Sequence, residues 1–356
     1  MRKFLILTLL LAASPVLSPS WAQSALPPVP APQDVPKPGP MTKGPYAPQT
    51  LLPGGIVMPL FAPDSPYLNA KRIREAEVYT MDPAVPGRVQ RIVNIHNPSI
   101  EVHLAGAGNN TGTAIILAPG GGHATLVVGL EGADPVPYFF QYGINTIILR
   151  NRLKRDGYDP KTDEVYDIQQ AVRLVRAHAA EWHIDPHKIG VMGFSAGAEL
   201  TMAAAIQYPG FDAKNKAAAD PLAGISSRPD FVGAIYPGPS LFTPAWTTKN
   251  GTPLIPKDTP PSFIAGASWQ DKIHAVWADE YFSAMLNAGI PNVEMHIYAR
   301  GGHGNGLAYR EFTAEGTWQD RFIQWMRDLG FFEKPGTETL AAKDVAAFVS
   351  APAAKP

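Results

Sequence analysis

The chain has 356 residues, 45% of them hydrophobic and 17% charged, which is enough apolar material for a large core and too much for a fibrous or wholly disordered chain. Lys and Arg number 30 against 31 Asp and Glu, a net charge of -1, so no basic excess exists to neutralise phosphates and nucleic acid is not an expected partner. The absence of Cys excludes disulfides, thiolate metal sites and a cysteine nucleophile; no metal site and no cofactor are expected.

In chain order, Met1-Arg2-Lys3 precedes an apolar run from Phe4 to Ala13, and Ser20-Trp21-Ala22 places small residues where a signal peptidase inspects them. Residues 1–22 therefore read as a cleaved signal peptide, with the mature protein secreted or periplasmic. The run is too short to span a bilayer, and no later segment supplies a longer one, so stable membrane insertion is not expected. Residues 23–56 follow as a Pro-rich tether, with nine of the 37 Pro between Pro27 and Pro48 and few large apolar side chains. Residues 57–335 are expected to form a single α/β domain. Residues 336–356, Ala-rich and with Phe348 as their one aromatic, read as a flexible tail.

Within the domain, Val89 to Ile95 and Ile100 to Leu104 alternate apolar with polar residues around Asn97-Pro98, the pattern of an antiparallel hairpin. Compact apolar runs follow at Ala114 to Leu117, Ile144 to Leu149, Ile189 to Met192, Phe231 to Tyr236, Phe263 to Ala265 and Val293 to Tyr298. They suit parallel strands buried on both faces. Helices fit between them. Ile168, Val172, Val175, Ala179 and Trp182 make one apolar stripe, and further helices fit Ala196 to Tyr208, Val276 to Leu286 and Thr317 to Leu329. Strand and helix in alternation predict an α/β fold with a mostly parallel central sheet, helices on both faces and a leading antiparallel hairpin.

The chemistry concentrates where strands end. Gly193-Phe194-Ser195-Ala196-Gly197 comes directly after one predicted strand and directly before a predicted helix. Glycines on both sides of a serine in that setting permit a sharp turn that lifts the hydroxyl to the sheet edge as a nucleophile. Such a serine needs a base, and His303, in Gly301-Gly302-His303-Gly304 after the last strand, is the best placed of nine His. His178, His183 and His187 cluster at one helix end, where Pro186 breaks the spacing a metal pair would use, and they read as ordinary surface or core residues. For the carboxylate that orients the base, Asp271 follows the strand beginning at Phe263; its rival, Asp279, lies within a helix beside Glu280. Ala118-Pro119-Gly120-Gly121-Gly122-His123 follows another strand, and the N–H groups of Gly121, Gly122 and Ala196 are candidates for an oxyanion hole. No Lys-Ser/Thr pair follows those glycines, which excludes a phosphate loop. His123, with Phe242 and Trp246 in the irregular stretch from Pro237 to Pro260, completes the candidate set as substrate contacts, the two aromatics as a rim for a sugar or phenolic ring.

Leu117 to His123, Gly193 to Gly197, Asp271 and Gly301 to Gly304, in the chain order Ser, Asp, His, resemble the α/β-hydrolase superfamily. More narrowly the chain resembles bacterial secreted esterases near acetyl xylan esterases and feruloyl-esterase-like proteins, close to the hormone-sensitive-lipase type, from about Val78 to Phe332. Pro119 stands where hormone-sensitive-lipase relatives carry His, and Ala198-Glu199 where the esterase branch carries Gly-His. The resemblance implies a serine esterase acting on short-acyl esters of small molecules or carbohydrates through an acyl-enzyme. A serine peptidase-like hydrolase and a noncatalytic carbohydrate-binding module on the same fold are the alternatives.

Overall fold

The computed structural model describes residues 43–216, 221–246, 251, 253–307 and 314–352; the expected signal peptide and most of the expected tether lie outside them. An eight-stranded sheet runs in the order β1-β4-β6-β5-β7-β8-β9-β10. Its strands are β1 (Ile56–Pro59), β4 (Ser99–His103), β5 (Ala114–Ala118), β6 (Asn145–Arg150), β7 (Ile189–Phe194), β8 (Val232–Ile235), β9 (Ser262–Ala267) and β10 (Glu294–Tyr298). From β6 to β10 every pairing is parallel, whereas β4 is antiparallel to both β1 and β6.

Side-chain alternation along the parallel strands divides the core in two. Ala114, Ile116, Ile147, Ile189 and Val191 face the helices α2 (Asp163–Ala177), α3 (Ala196–Asn215) and α4 (Lys272–Asn287). Ile115, Leu117, Ile148, Met192 and Phe194 face α1 (Pro135–Phe140) and α5 (Trp318–Asp328). Both faces of the sheet are therefore buried, which explains why these strands read as unbroken apolar runs. No helix among the described residues is long and apolar enough to cross a membrane.

Three local expectations differ from the structure. An antiparallel hairpin is present, but it joins β2 (Val78–Met81) to β3 (Val89–Val93), while the Ile100 to Leu104 run enters the main sheet as β4. Alternation identified the strands without identifying their partners. The segment expected to be tether is folded well before residue 56: Tyr46, Thr50 and Leu51 are buried. Glu101 holds it, accepting from Leu51 N at 2.7 Å and Leu52 N at 3.0 Å while paired with Arg150 at 2.7 Å. The expected loose tail contains α6 (Leu340–Ser350), started by Thr339 Oγ1 accepting from Ala342 N and seated by buried Ala341 and Val345, four residues apart.

The sheet also positions the site. β5 lies between β6 and β7, with α1 returning the chain on one face and α2 on the other. Crossovers on opposite faces open a crevice at the C-terminal ends of β5 and β7. The glycine run follows β5, and Ser195 follows β7.

Candidate active site

Ser195 sits at φ 52°, ψ -120°, a left-handed conformation costly for a residue with a Cβ. The flanking glycines make that turn possible: a Cβ on Gly193 would lie 2.3 Å from Gly197 O, and one on Gly197 2.0 Å from Ala118 O. The strained turn is pinned by Ser195 N donating to Ile235 O at 3.0 Å and by Gly238 N donating to Ser195 O at 3.1 Å. It lifts the hydroxyl to the N-terminus of α3.

Ser195 Oγ lies 2.8 Å from His303 Nε2, and His303 Nδ1 lies 2.9 Å from Asp271 Oδ2. The three sequence candidates thus meet, although 108 residues separate Ser195 from His303. Asp279 points elsewhere: it is exposed on α4. Burial alone would push the Asp271 carboxyl up, but hydrogen bonds from His274 and His303 outweigh it and hold the group below its usual value. An ionised carboxylate only accepts, so His303 Nδ1 carries the hydrogen and Nε2 presents its lone pair to the Ser195 hydroxyl.

Gly121 and Gly122 have φ values of 130° and 63°, and a Cβ on Gly121 would lie 2.1 Å from Thr125 O. No described residue accepts from the N–H groups of Gly121, Gly122 or Ala196. The loop carrying the two glycines is braced by a residue the sequence did not single out. Buried Glu131 accepts from Gly120 N at 2.7 Å through one oxygen and from Tyr236 Oη at 2.8 Å through the other. Tyr236 Oη in turn accepts from Gly306 N at 3.0 Å, and its ring meets that of His303 edge-on at 5.1 Å. One carboxylate and one phenol therefore tie the glycine loop to the histidine loop. Glu315 supports the latter, accepting from Gly302 N at 3.1 Å.

The expected substrate contacts fare differently. His123 faces two carboxylates, with Nδ1 2.8 Å from Glu164 and Nε2 3.3 Å from Glu199. Burial lowers its basicity, but the two acidic partners prevail and push it up to about 9, so it is an imidazolium at neutral pH. Trp246, expected at an exposed rim, is instead buried and donates through Nε1 to Glu199 Oε1. Its indole needed a polar partner inside the fold, and Glu199 supplied one. Phe242 is half-buried beside Tyr281, and the neighbouring residues 247–250 and 252 lie outside the described set. His178 is buried against Trp182, whereas His183 and His187 are exposed, and the three do not form a cluster.

The His123 charge makes stability depend on pH. A base raised from 6.5 to about 9 on folding contributes in full below pH 6.5, and its contribution is lost as pH rises through 9. In urea unfolding, stability is expected to fall by about 3 kcal/mol between pH 6.5 and 9.5, and His123→Gln is expected to flatten that slope. An unchanged slope in the variant would contradict the ion pairing.

Residues 105–225 match the BD-FAE family model. Over 233 residues the chain is 31% identical to an acetylxylan esterase of Xylanibacter ruminicola, an alignment covering 62% of this chain and 45% of that protein, so the chain spans less than half of that relative's length. Among solved structures it is similar to an acetyl ester-xyloside bifunctional hydrolase from Caldicellulosiruptor lactoaceticus, with 26% identity, a TM-score of 0.60, and coverage of 77% of this chain and 96% of that one. A thermophilic esterase from Thermogutta terrifontis shares the fold at 21% identity and a TM-score of 0.54, over 68% of this chain and 91% of that one.

Proposed function

We propose that the chain is a serine esterase of the α/β-hydrolase type that removes short acyl groups, acetyl above all, from carbohydrate esters; its match to the BD-FAE family model over residues 105–225 and its similarity to an acetylxylan esterase and to an acetyl ester-xyloside hydrolase support this reading. The observation that carries the proposal is the 2.8 Å approach of Ser195 Oγ to an imidazole whose other nitrogen faces a buried carboxylate. His303 takes the serine proton as Oγ attacks the ester carbonyl. Asp271 stabilises the resulting imidazolium, and the N–H groups of Gly121, Gly122 and Ala196 receive the oxyanion. His303 then returns the proton to the departing alcohol. Water, activated by the same imidazole, releases the acid and frees Ser195.

The short-acyl preference is supported by what borders the nucleophile. Glu199 lies one turn beyond Ser195 on α3, bonded to Trp246 and within 3.3 Å of the His123 imidazolium. A long alkyl chain gains about 0.8 kcal/mol per methylene only by entering an apolar groove, and a charged wall withholds that gain. The sugar preference is supported by two similar proteins, an acetylxylan esterase and an acetyl ester-xyloside bifunctional hydrolase.

A panel of p-nitrophenyl esters tests the acyl reading. kcat/KM is expected to fall by about tenfold or more from acetyl or butyryl to decanoyl, because no chain-length gain offsets the cost of meeting polar groups. A profile rising toward decanoyl would reject it. Acetate release from acetylated xylo-oligosaccharides tests the alcohol side, and its absence at enzyme levels that cleave p-nitrophenyl acetate would remove the carbohydrate assignment.

A further inference from the structure

Asp271 has two oxygens, and each faces a histidine. Oδ2 faces His303 Nδ1 at 2.9 Å, while Oδ1 accepts from Nδ1 of His274, three residues along at the start of α4. The His274 ring lies nearly flat on that of His303, with centroids 3.7 Å apart and planes inclined by 21°, and it meets Trp277 edge-on at 5.0 Å. Its side chain is 18% exposed, against 35% for His303 and 4% for Asp271.

These contacts address a weakness in the site. The His303 loop is anchored through Gly302 and Gly306, but His303 itself is its exposed residue, set between Gly302 and the positive-φ Gly304, so the orientation of the imidazole depends on what its side chain touches. A carboxylate engaged through one oxygen can still swing about its terminal torsion, which is broad and roughly twofold. A bond to the second oxygen removes that swing, and a ring stacked on the imidazole face removes most of the rest.

We propose that His274 is a positioning residue: by occupying the free oxygen of Asp271 and stacking on His303, it holds the imidazole where Nε2 meets Ser195 Oγ. This rests on the serine-esterase reading of the same site. His274 touches neither substrate nor the reacting atoms in this account, and its effect passes entirely through Asp271 and His303. The arrangement separates two contributions, because Asn keeps a donor nitrogen at the same bond distance from the backbone as Nδ1 but has no ring, whereas Phe keeps a ring and has no donor.

The test compares His274→Ala, His274→Asn and His274→Phe with the wild type in kcat and KM on p-nitrophenyl acetate, rate of Ser195 labelling by a fluorophosphonate, and melting temperature. Small misplacements of a reacting group can cost about a hundredfold. His274→Ala is therefore expected to lower kcat and the labelling rate by about 10- to 100-fold, with KM changed by less than about threefold. Asn and Phe are each expected to recover part of the loss. Retention of wild-type kcat and labelling rate by His274→Ala would overturn the proposal. So would losses in which Asn and Phe recover nothing in proteins that melt like the wild type. If the wild-type protein itself fails to label at Ser195, the esterase reading fails instead, and the two failures are thereby distinguished.

Discussion

Replacing Ser195 by Ala is expected to lower kcat/KM on p-nitrophenyl acetate by about 10^4-fold or more while leaving the melting temperature unchanged. The two halves of that expectation have separate causes. Among the described residues the Ser195 hydroxyl hydrogen-bonds to His303, at a half-exposed site, so its removal leaves no buried group there without a partner. The strained backbone at φ 52° is as costly for Ala as for Ser, and the clearance provided by Gly193 and Gly197 is untouched. Chemistry has no such substitute. Without Oγ there is no acyl-enzyme, and what remains is direct attack by water beside an oxyanion-binding loop. A Ser195→Ala protein that kept more than a few percent of wild-type turnover, purified free of other esterases, would contradict the mechanism.

Asp271→Asn is expected to cost about 10^3- to 10^4-fold in kcat, and Asp279→Asn less than about twofold. The asymmetry follows from the acceptors required. Asp271 accepts from two Nδ1–H groups at once, and an amide has only one oxygen to offer. Whichever histidine faces the amide nitrogen must turn Nδ1 into an acceptor and move its hydrogen to Nε2. If that histidine is His303, the nitrogen facing Ser195 no longer accepts a proton. If it is His274, His303 keeps its tautomer but loses the negative charge that stabilises its cation. Asp279, exposed on the helix surface, carries no such constraint. Equal losses in the two variants, measured with melting temperatures to exclude unfolding, would move the acid elsewhere.

The nucleophile was legible because its signal is local. A turn tight enough for Ser195 demands glycine on both sides, and a strand and helix flank it in the sequence as they do in the fold. His303 and Asp271 were legible through chain order, since each follows a strand that ends at the same sheet edge. The bracing around them was not. Glu131 and Tyr236 are 105 residues apart, and Glu199 and Trp246 are 47 apart, so only the folded chain shows them to be partners. Trp246 misled for the same reason: a Pro- and Gly-rich setting suggested exposure, while its partner lay on another element. His274 had a local signal, an Asp and a His three apart at a helix start, but that spacing alone does not reveal that His303 arrives to stack on the ring. In α6, buried Ala341 and Val345, Phe348 packed against the core and Asp344 accepting from Asn292 dock a helix whose composition suggests a tail.

The measurement that bears most directly on the central claim is covalent labelling of the folded wild-type protein with a fluorophosphonate, followed by peptide mapping. One adduct per chain is expected, on Ser195, and it is expected to be absent from Ser195→Ala and strongly slowed in His303→Ala. No adduct on folded protein, or an adduct on a different residue that persists in Ser195→Ala, would contradict the assignment of Ser195 as nucleophile and favour a noncatalytic binding role for the same crevice.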